Sequence, residues 1–182
     1  IKKSGWAILG IEPDASARKM ASELSGEKIH TPDHQKNLNS EHFDVITLWH
    51  VLEHVHQLDD ILSTFKRILK KDAHIIIAVP NLDAWDANYY KEHWAAYDVP
   101  RHLYHFNPKS MDRLLSQHGF KHISTNPMWF DAFYVSLLSE KYKNGKTNYL
   151  SAVLIGMISN IRAVFQSGKC SSQIYIYQNS IN

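Results

Sequence analysis

Three features of the chain predict an α/β domain built on a mainly parallel sheet. Short apolar runs rich in strand formers alternate with segments whose apolar residues recur at helical spacing, the pattern of a sheet covered by helices. The strand-like runs end at Glu12, at Trp49-His50 and at Pro80-Asn81, and sheets of this kind bind ligands beyond the carboxyl ends of their strands. A length of 182 residues, 44% hydrophobic and 21% charged, suits one folded domain and excludes a disordered tail, a collagen-like repeat or a disulfide mini-protein.

The elements follow in order. Trp6-Ala7-Ile8-Leu9-Gly10-Ile11 reads as a buried strand, ended by Glu12-Pro13-Asp14. Asp14 suits a helix N-cap, Ala17, Met20, Ala21 and Leu24 form the apolar face of that helix, and Gly26 stops it. Lys28-Ile29-His30 gives a short strand in an otherwise polar stretch. Phe43-Asp44-Val45-Ile46-Thr47-Leu48-Trp49 is rich in strand formers. A helix is predicted from about Gln57 to Lys71, with Leu58, Ile61, Leu62, Phe65, Ile68 and Leu69 on one face. Acidic residues at its start and basic residues at its end complement the helix dipole. Ile75-Ile76-Ile77-Ala78-Val79 is the clearest strand, ended by Pro80-Asn81. Asn107 as cap with Pro108 in the first turn starts another helix, with Met111, Leu114 and Leu115 inward and Gly119 as its stop. A strand near Lys121 to Thr125, helices over 130–166 and a final strand at Gln173-Ile174-Tyr175-Ile176-Tyr177 complete the pattern.

Charge and composition narrow the partners. Twenty basic against 18 acidic residues leave a net charge of +2, too weak a bias for nucleic acid or an anionic membrane. The lone Cys170 cannot form an internal bridge, which points to a reducing, cytoplasmic compartment. The apolar run from Tyr149 to Phe165 is shorter than a membrane span and is interrupted by Asn160 and Arg162, so no stable span is expected. It reads first as a buried or interface helix and second as a membrane-surface contact. The chain opens Ile1-Lys2-Lys3 without an initiator Met, which is expected of part of a longer protein.

Three motifs bear on chemistry. A carboxylate at a strand end, as at Glu12, can accept hydrogen bonds from both hydroxyls of a ribose, and equally it can stand at a helix start with no ligand. His50-Val51-Leu52-Glu53-His54 matches the H-x-x-E-H pattern of inverted zinc peptidases. That chemistry needs both histidines on one helical face. Here the preceding strand runs directly into His50, so no metal is expected from the motif. Asp98-Val99-Pro100-Arg101-His102-Leu103-Tyr104-His105-Phe106 predicts a packed loop. In one reading Arg101 bridges carboxylates and the histidines bond backbone groups. In the other the loop covers the ligand crevice, where an imidazole orients a substrate or takes its proton.

The segments GIEPD (10–14), FDVITLWHVLEHV (43–55), RILKKD (67–72), IAVPN (77–81) and DVPRHLYHFNPKSMDRLLSQHGF (98–120) together resemble small-molecule S-adenosylmethionine-dependent methyltransferases, in the branch that includes ubiquinone-biosynthesis-type enzymes. The resemblance covers about residues 5 to 125. It implies a Rossmann-like sheet of seven strands in the order third, second, first, fourth, fifth, seventh, sixth, with the seventh antiparallel. It also implies S-adenosylmethionine as cofactor and a small-molecule acceptor. Glu12, with Pro13 after it, would hold the adenosyl ribose. Asp33 would meet the adenine edge, and Trp49 and His50 would lie beside the methionine part. Glu53 and His54 would support that turn, and Asn81 would line the acceptor side. His102, His105 and His50 are the candidate bases. The stretch 126–170 would be a helical insert forming a lid or an interface, including that of a homodimer.

The chain departs from the family in two linked ways. None of its seven glycines forms a G-x-G pair, so the glycine-rich loop that lets backbone approach the cofactor is missing. The strand before that loop, central in the implied order, is missing with it. The second and fourth strands are therefore expected to lack a shared neighbour, leaving backbone groups unpaired. The functional expectation is methyl transfer to a small-molecule acceptor in the intact protein. An inactive fragment or non-catalytic binding module of the same fold is the alternative. A nucleotide-sugar enzyme, which would also use Glu12, is a third class.

Overall fold

The computed structural model describes residues 4–166 and 168–180. It contains two sheets. The first is a short parallel pair, β1 (Gly10–Ile11) and β2 (Ile29–His30), joined through α1 (Ala15–Ser25). The second has four strands in the order β3-β4-β6-β5, formed by β3 (Phe43–Trp49), β4 (Leu69–Pro80), β5 (Phe120–Pro127) and β6 (Ser172–Asn179). β3 and β4 are parallel, whereas β6 runs antiparallel to both β4 and β5. These are the two halves of the expected order on either side of its central strand. Among the described residues no strand pairs with the outer edge of β3 or with the free edge of β1.

The uncovered edge explains where the strand expectation falls short. Only Gly10 and Ile11 are in strand conformation, while Trp6 is 51% and Ile8 42% exposed. An apolar run becomes a buried strand only where neighbours pair with its backbone and cover its side chains. On α1 the caps are as expected. Asp14 accepts the Ala17 N–H at 2.7 Å, and Gly26 closes the helix in the left-handed conformation at φ 68°. Its apolar face is uncovered, however: Met20 and Leu24 are 62% and 83% exposed, and no residue of α1 is buried. Arg67 ties this N-terminal unit to the rest by donating to the Leu38 and Gln35 carbonyls at 2.5 and 3.3 Å.

α2 (Leu58–Ile68) and α4 (Pro108–Gln117) pack on the larger sheet. Leu62, Phe65 and Ile68 from α2, and Met111 and Leu115 from α4, meet Ile75, Ile77, Tyr175 and Tyr177 in one buried cluster. α2 ends earlier than the expected Lys71, because Leu69 turns extended and pairs with Phe43. The basic residues read as a helix end lie instead on an irregular stretch of β4, where Asp72 takes a left-handed φ of 61°. Asn107 and Ser110 form a reciprocal capping box at the start of α4.

A second cluster joins α3 (Trp85–Tyr90), α5 (Asp131–Asn144) and α6 (Tyr149–Phe165) around Ala87, Tyr90, Trp94, Val135 and Ile155. At its centre Asp86 is fully buried and accepts from Trp94 Nε1 (2.9 Å), Ser159 Oγ (2.7 Å) and Ser171 Oγ (2.8 Å). Burial raises its pKa, and the three donors act against that rise. α6 buries a face of small residues, Ala152, Gly156, Ser159 and Ala163 with Ile155, and exposes Leu150, Leu154, Met157, Ile161 and Phe165. No helix among the described residues is long and apolar enough to cross a membrane.

Candidate active site

The carboxyl ends of the parallel pair β3 and β4 meet at His50 and Pro80. With the 95–102 loop and α5 they enclose a cavity of about 220 Å³. His50, Asp98, Arg101, His102, Asp131 and Tyr134 supply most of its polar wall, and Val135 and Leu138 of α5 its apolar side.

His50 follows β3 directly, with its N–H bonded to the Ala78 carbonyl at 2.9 Å. Its φ of 53° is a left-handed conformation that costs a non-glycine residue on the order of 1–3 kcal/mol. The turn aims the imidazole at Glu53, whose Oε1 lies 3.3 Å from His50 Nδ1. Glu53 is only 1% exposed, and this hydrogen bond is the main cause that raises the His50 pKa. With Nδ1–H donating to a carboxylate, the Nε2 lone pair remains. That atom is buried and has no partner among the described residues. The helical H-x-x-E-H arrangement does not form, since His50 ends a strand and only Leu52–His54 make a single 3-10 turn.

In the 98–106 segment Arg101 pairs with one carboxylate rather than bridging several, and the histidines bond backbone groups as expected. Arg101 binds Asp98 through Nε (3.1 Å) and an Nη nitrogen (2.6 Å), and three histidines bond backbone carbonyls. His54 Nδ1 lies 3.0 Å from Arg101 O, His102 Nδ1 2.8 Å from Ala96 O, and His105 Nε2 2.9 Å from Tyr97 O. A carbonyl only accepts, so each of these nitrogens carries the hydrogen. The Leu103 N–H bonds Glu53 O at 2.8 Å and fastens the loop over the turn after β3. Burial, ahead of the opposing pull of the Ala96 carbonyl and Glu53, lowers the pKa of His102.

The structure brings His50 and His102 to the cavity, while His105 lies outside its wall with Nε2 held by Tyr97. Asn81 is fully buried, and its amide is consumed by Gly168 O, Cys170 O and the Asp83 N–H, so the expectation that it lines the acceptor side is corrected. Trp49 ends β3 half exposed. Glu12 is half-buried after β1 with Oε1 held by the Asp14 N–H at 2.9 Å; among the described residues its other carboxylate oxygen has no partner. Pro13 is exposed, and its carbonyl accepts from Arg18 at 3.0 Å. Asp33 is exposed on a 3-10 helix and pairs with Lys36 at 3.0 Å. Asp131, Tyr134 and Tyr142 of α5 were not found by sequence reading. Their only signal was the helical spacing after residue 130, which did not say what the helix faces.

The cavity lies at the carboxyl ends of the parallel strands of a Rossmann-like α/β sheet, where folds of this class bind their ligands. Residues 1–125 match the model of a methyltransferase domain, and the chain belongs to that family. No curated protein matches its sequence. Among solved structures, a SAM-dependent methyltransferase from Archaeoglobus fulgidus is 16% identical, with a TM-score of 0.61 over 97% of this chain and 78% of that one. A SAM-dependent methyltransferase from Methanosarcina mazei is 13% identical, with a TM-score of 0.65 over 98% and 84%. Phosphoethanolamine N-methyltransferase 2 of Haemonchus contortus, solved with S-adenosyl-L-methionine, is 12% identical, with a TM-score of 0.56 over 95% and 43%. At these identities the likeness is one of fold.

Proposed function

We propose that this domain transfers a methyl group from S-adenosylmethionine to a small-molecule acceptor held in the cavity between His50, His102 and α5. The observation that carries this is the turn after β3. A strained residue delivers an imidazole, backed by a buried carboxylate, into a cavity at the carboxyl ends of two parallel strands. Strain of this kind persists where the surroundings enforce it, and it concentrates at functional sites.

The residues present suit the cofactor at one decisive point. Glu12 is fixed through one carboxylate oxygen and has the other to spare, as a ribose-holding group requires. Glu12 with Pro13 would hold the ribose, Asp33 the adenine edge, and Trp49 and His50 the methionine part. When bound, the cofactor supplies a methyl group on a sulfonium, ready for in-line attack by an O, N or C nucleophile. The chain's own contribution is orientation, a dry pocket and proton removal. Glu53 keeps the His50 hydrogen on Nδ1 and its lone pair on Nε2, so His50 takes the acceptor's proton. His102 walls the cavity, and α5 acts as its lid. The exposed apolar face of α6 is the surface on which a homodimer would form. The compartment is cytoplasmic, in keeping with the single, reduced cysteine.

Among the described residues the outer edges of β1 and β3 are unpaired, which favours a second reading, a methyltransferase fold that does not turn over. Calorimetric titration with S-adenosylhomocysteine separates the two. The methyl-transfer reading expects saturable binding below millimolar concentration. It also expects a loss of about 1–3 kcal/mol in Glu12→Ala, the worth of charge-assisted hydrogen bonds to a sugar. No saturable binding, or unchanged affinity in the variant, overturns it.

A further inference from the structure

The cavity chemistry uses one oxygen of Glu53 and leaves the other unexplained. Oε1 holds His50, whereas Oε2 is buried and has no partner among the described residues. Desolvating a carboxylate oxygen and giving it nothing to bind is costly, so an orphan of this kind asks for a ligand. Two imidazoles stand beside the carboxylate. Their ring centroids are 4.7 Å apart, and His102 Nε2 is 4.0 Å from Glu53 Oε1.

Both rings are set in the same way. His54 and His102 each donate Nδ1–H to a backbone carbonyl, of Arg101 and Ala96 respectively, which leaves the Nε2 lone pair free. This is how proteins prepare histidines for metals, with the far nitrogen tied to a carbonyl that fixes ring and tautomer. One ligand atom each from Glu53, His54 and His102 lies within 4.8 Å of the other two. Tetrahedral ligands at 2.0–2.1 Å from an ion are about 3.3 Å apart, so binding would draw the three inward by roughly an ångström.

We propose that Glu53, His54 and His102 bind one first-row divalent cation, zinc by preference, beside the cavity. Two imidazoles and a carboxylate are the donor set that suits zinc and leave its fourth position open. This is a different site from the H-x-x-E-H helix, because His50 is a neighbour and not a ligand, and the third ligand comes from the 95–102 loop. Since His102 also lines the cavity, an ion held there would stand beside a bound acceptor, where a cation favours loss of a proton from a hydroxyl. That last role rests on the methyl-transfer reading. The ion site does not.

The test is made without methyl donor or acceptor, so it stands apart from the fate of that reading. Chelator-stripped protein is titrated with zinc by calorimetry and with cobalt by visible absorption. The expected result is one ion per chain, with the d–d bands of a low-symmetry nitrogen and oxygen site. His54→Ala, which alters an exposed side chain, and His102→Ala should each weaken binding at least about tenfold. His30 and His34 stack at 3.7 Å and form a rival pair, so His34→Ala should leave binding unchanged. Absence of saturable uptake by the wild type, retention in His54→Ala, or loss in His34→Ala overturns the proposal.

Discussion

Replacing Asp86 by alanine should destabilise the domain by about 3–5 kcal/mol, the net of three lost charge-assisted hydrogen bonds and the relief of a buried charge. The carboxylate accepts from Trp94, Ser159 and Ser171, and so joins α3, α6 and the lead-in to β6 at one buried point. Three hydrogen bonds to a charged group are worth roughly 1.5–3 kcal/mol each. Against this, release of a buried charge returns several kcal/mol. The two serine hydroxyls can rotate toward other acceptors, but the Trp94 indole N–H cannot, and it stays buried without a partner. Trp94 also precedes Ala95 and Ala96, which wall the cavity, so the site should loosen with the core. Urea unfolding followed by far-ultraviolet circular dichroism measures the change. With a slope of about 2 kcal/mol per molar urea the midpoint should fall by about 2 M. Asp86→Asn keeps the shape and one acceptor oxygen, and should lie between the two. A change below about 1 kcal/mol in Asp86→Ala would show that the three donors do not depend on this carboxylate.

Other consequences can be checked independently. A Cβ on Gly156 would meet Phe133 Cδ1 at 2.7 Å and Phe133 Cα at 3.2 Å, so Gly156→Val should cost about 1–3 kcal/mol by forcing α5 and α6 apart; an unaltered unfolding midpoint would contradict that packing. Hydrogen exchange should be fast at alternate amides of 43–49, those directed to the open edge of β3, and slow throughout 75–79 in β4, which is paired on both sides. Uniform protection of β3 would mean that its edge is covered. Burial raises the Cys170 thiol above its ordinary pKa, so native protein should react with a disulfide reagent only as fast as it unfolds, and prompt labelling at neutral pH would refute its burial.

The parts of the fold that were legible in the sequence are those set by local chemistry. Asp14 and Gly26 bound α1, and Asn107-Pro108 starts α4, because caps act within a turn of their own residues. The alternation of elements gave the α/β class, whereas the strand order came only with the family resemblance, including the central strand that none of the described residues supplies. The residues that depend on that centre misled. Trp6 to Leu9 have the composition of a buried strand, and Met20 and Leu24 the spacing of a buried face, but composition does not supply the neighbour that would cover them. At the site, His50 was legible because a strand ran into it. The meeting of His54 with His102 was not, because it spans 48 residues and is set by the Leu103 N–H on the Glu53 carbonyl.

The most direct test of the central claim is a crystal structure of this chain soaked with millimolar S-adenosylhomocysteine. Both ribose hydroxyls should lie within hydrogen-bond distance of the Glu12 carboxylate, and the sulfur should point past Trp49 into the space between His50 and His102. A nucleoside bound elsewhere, or a ribose that leaves Glu12 paired only with Asp14, would contradict it.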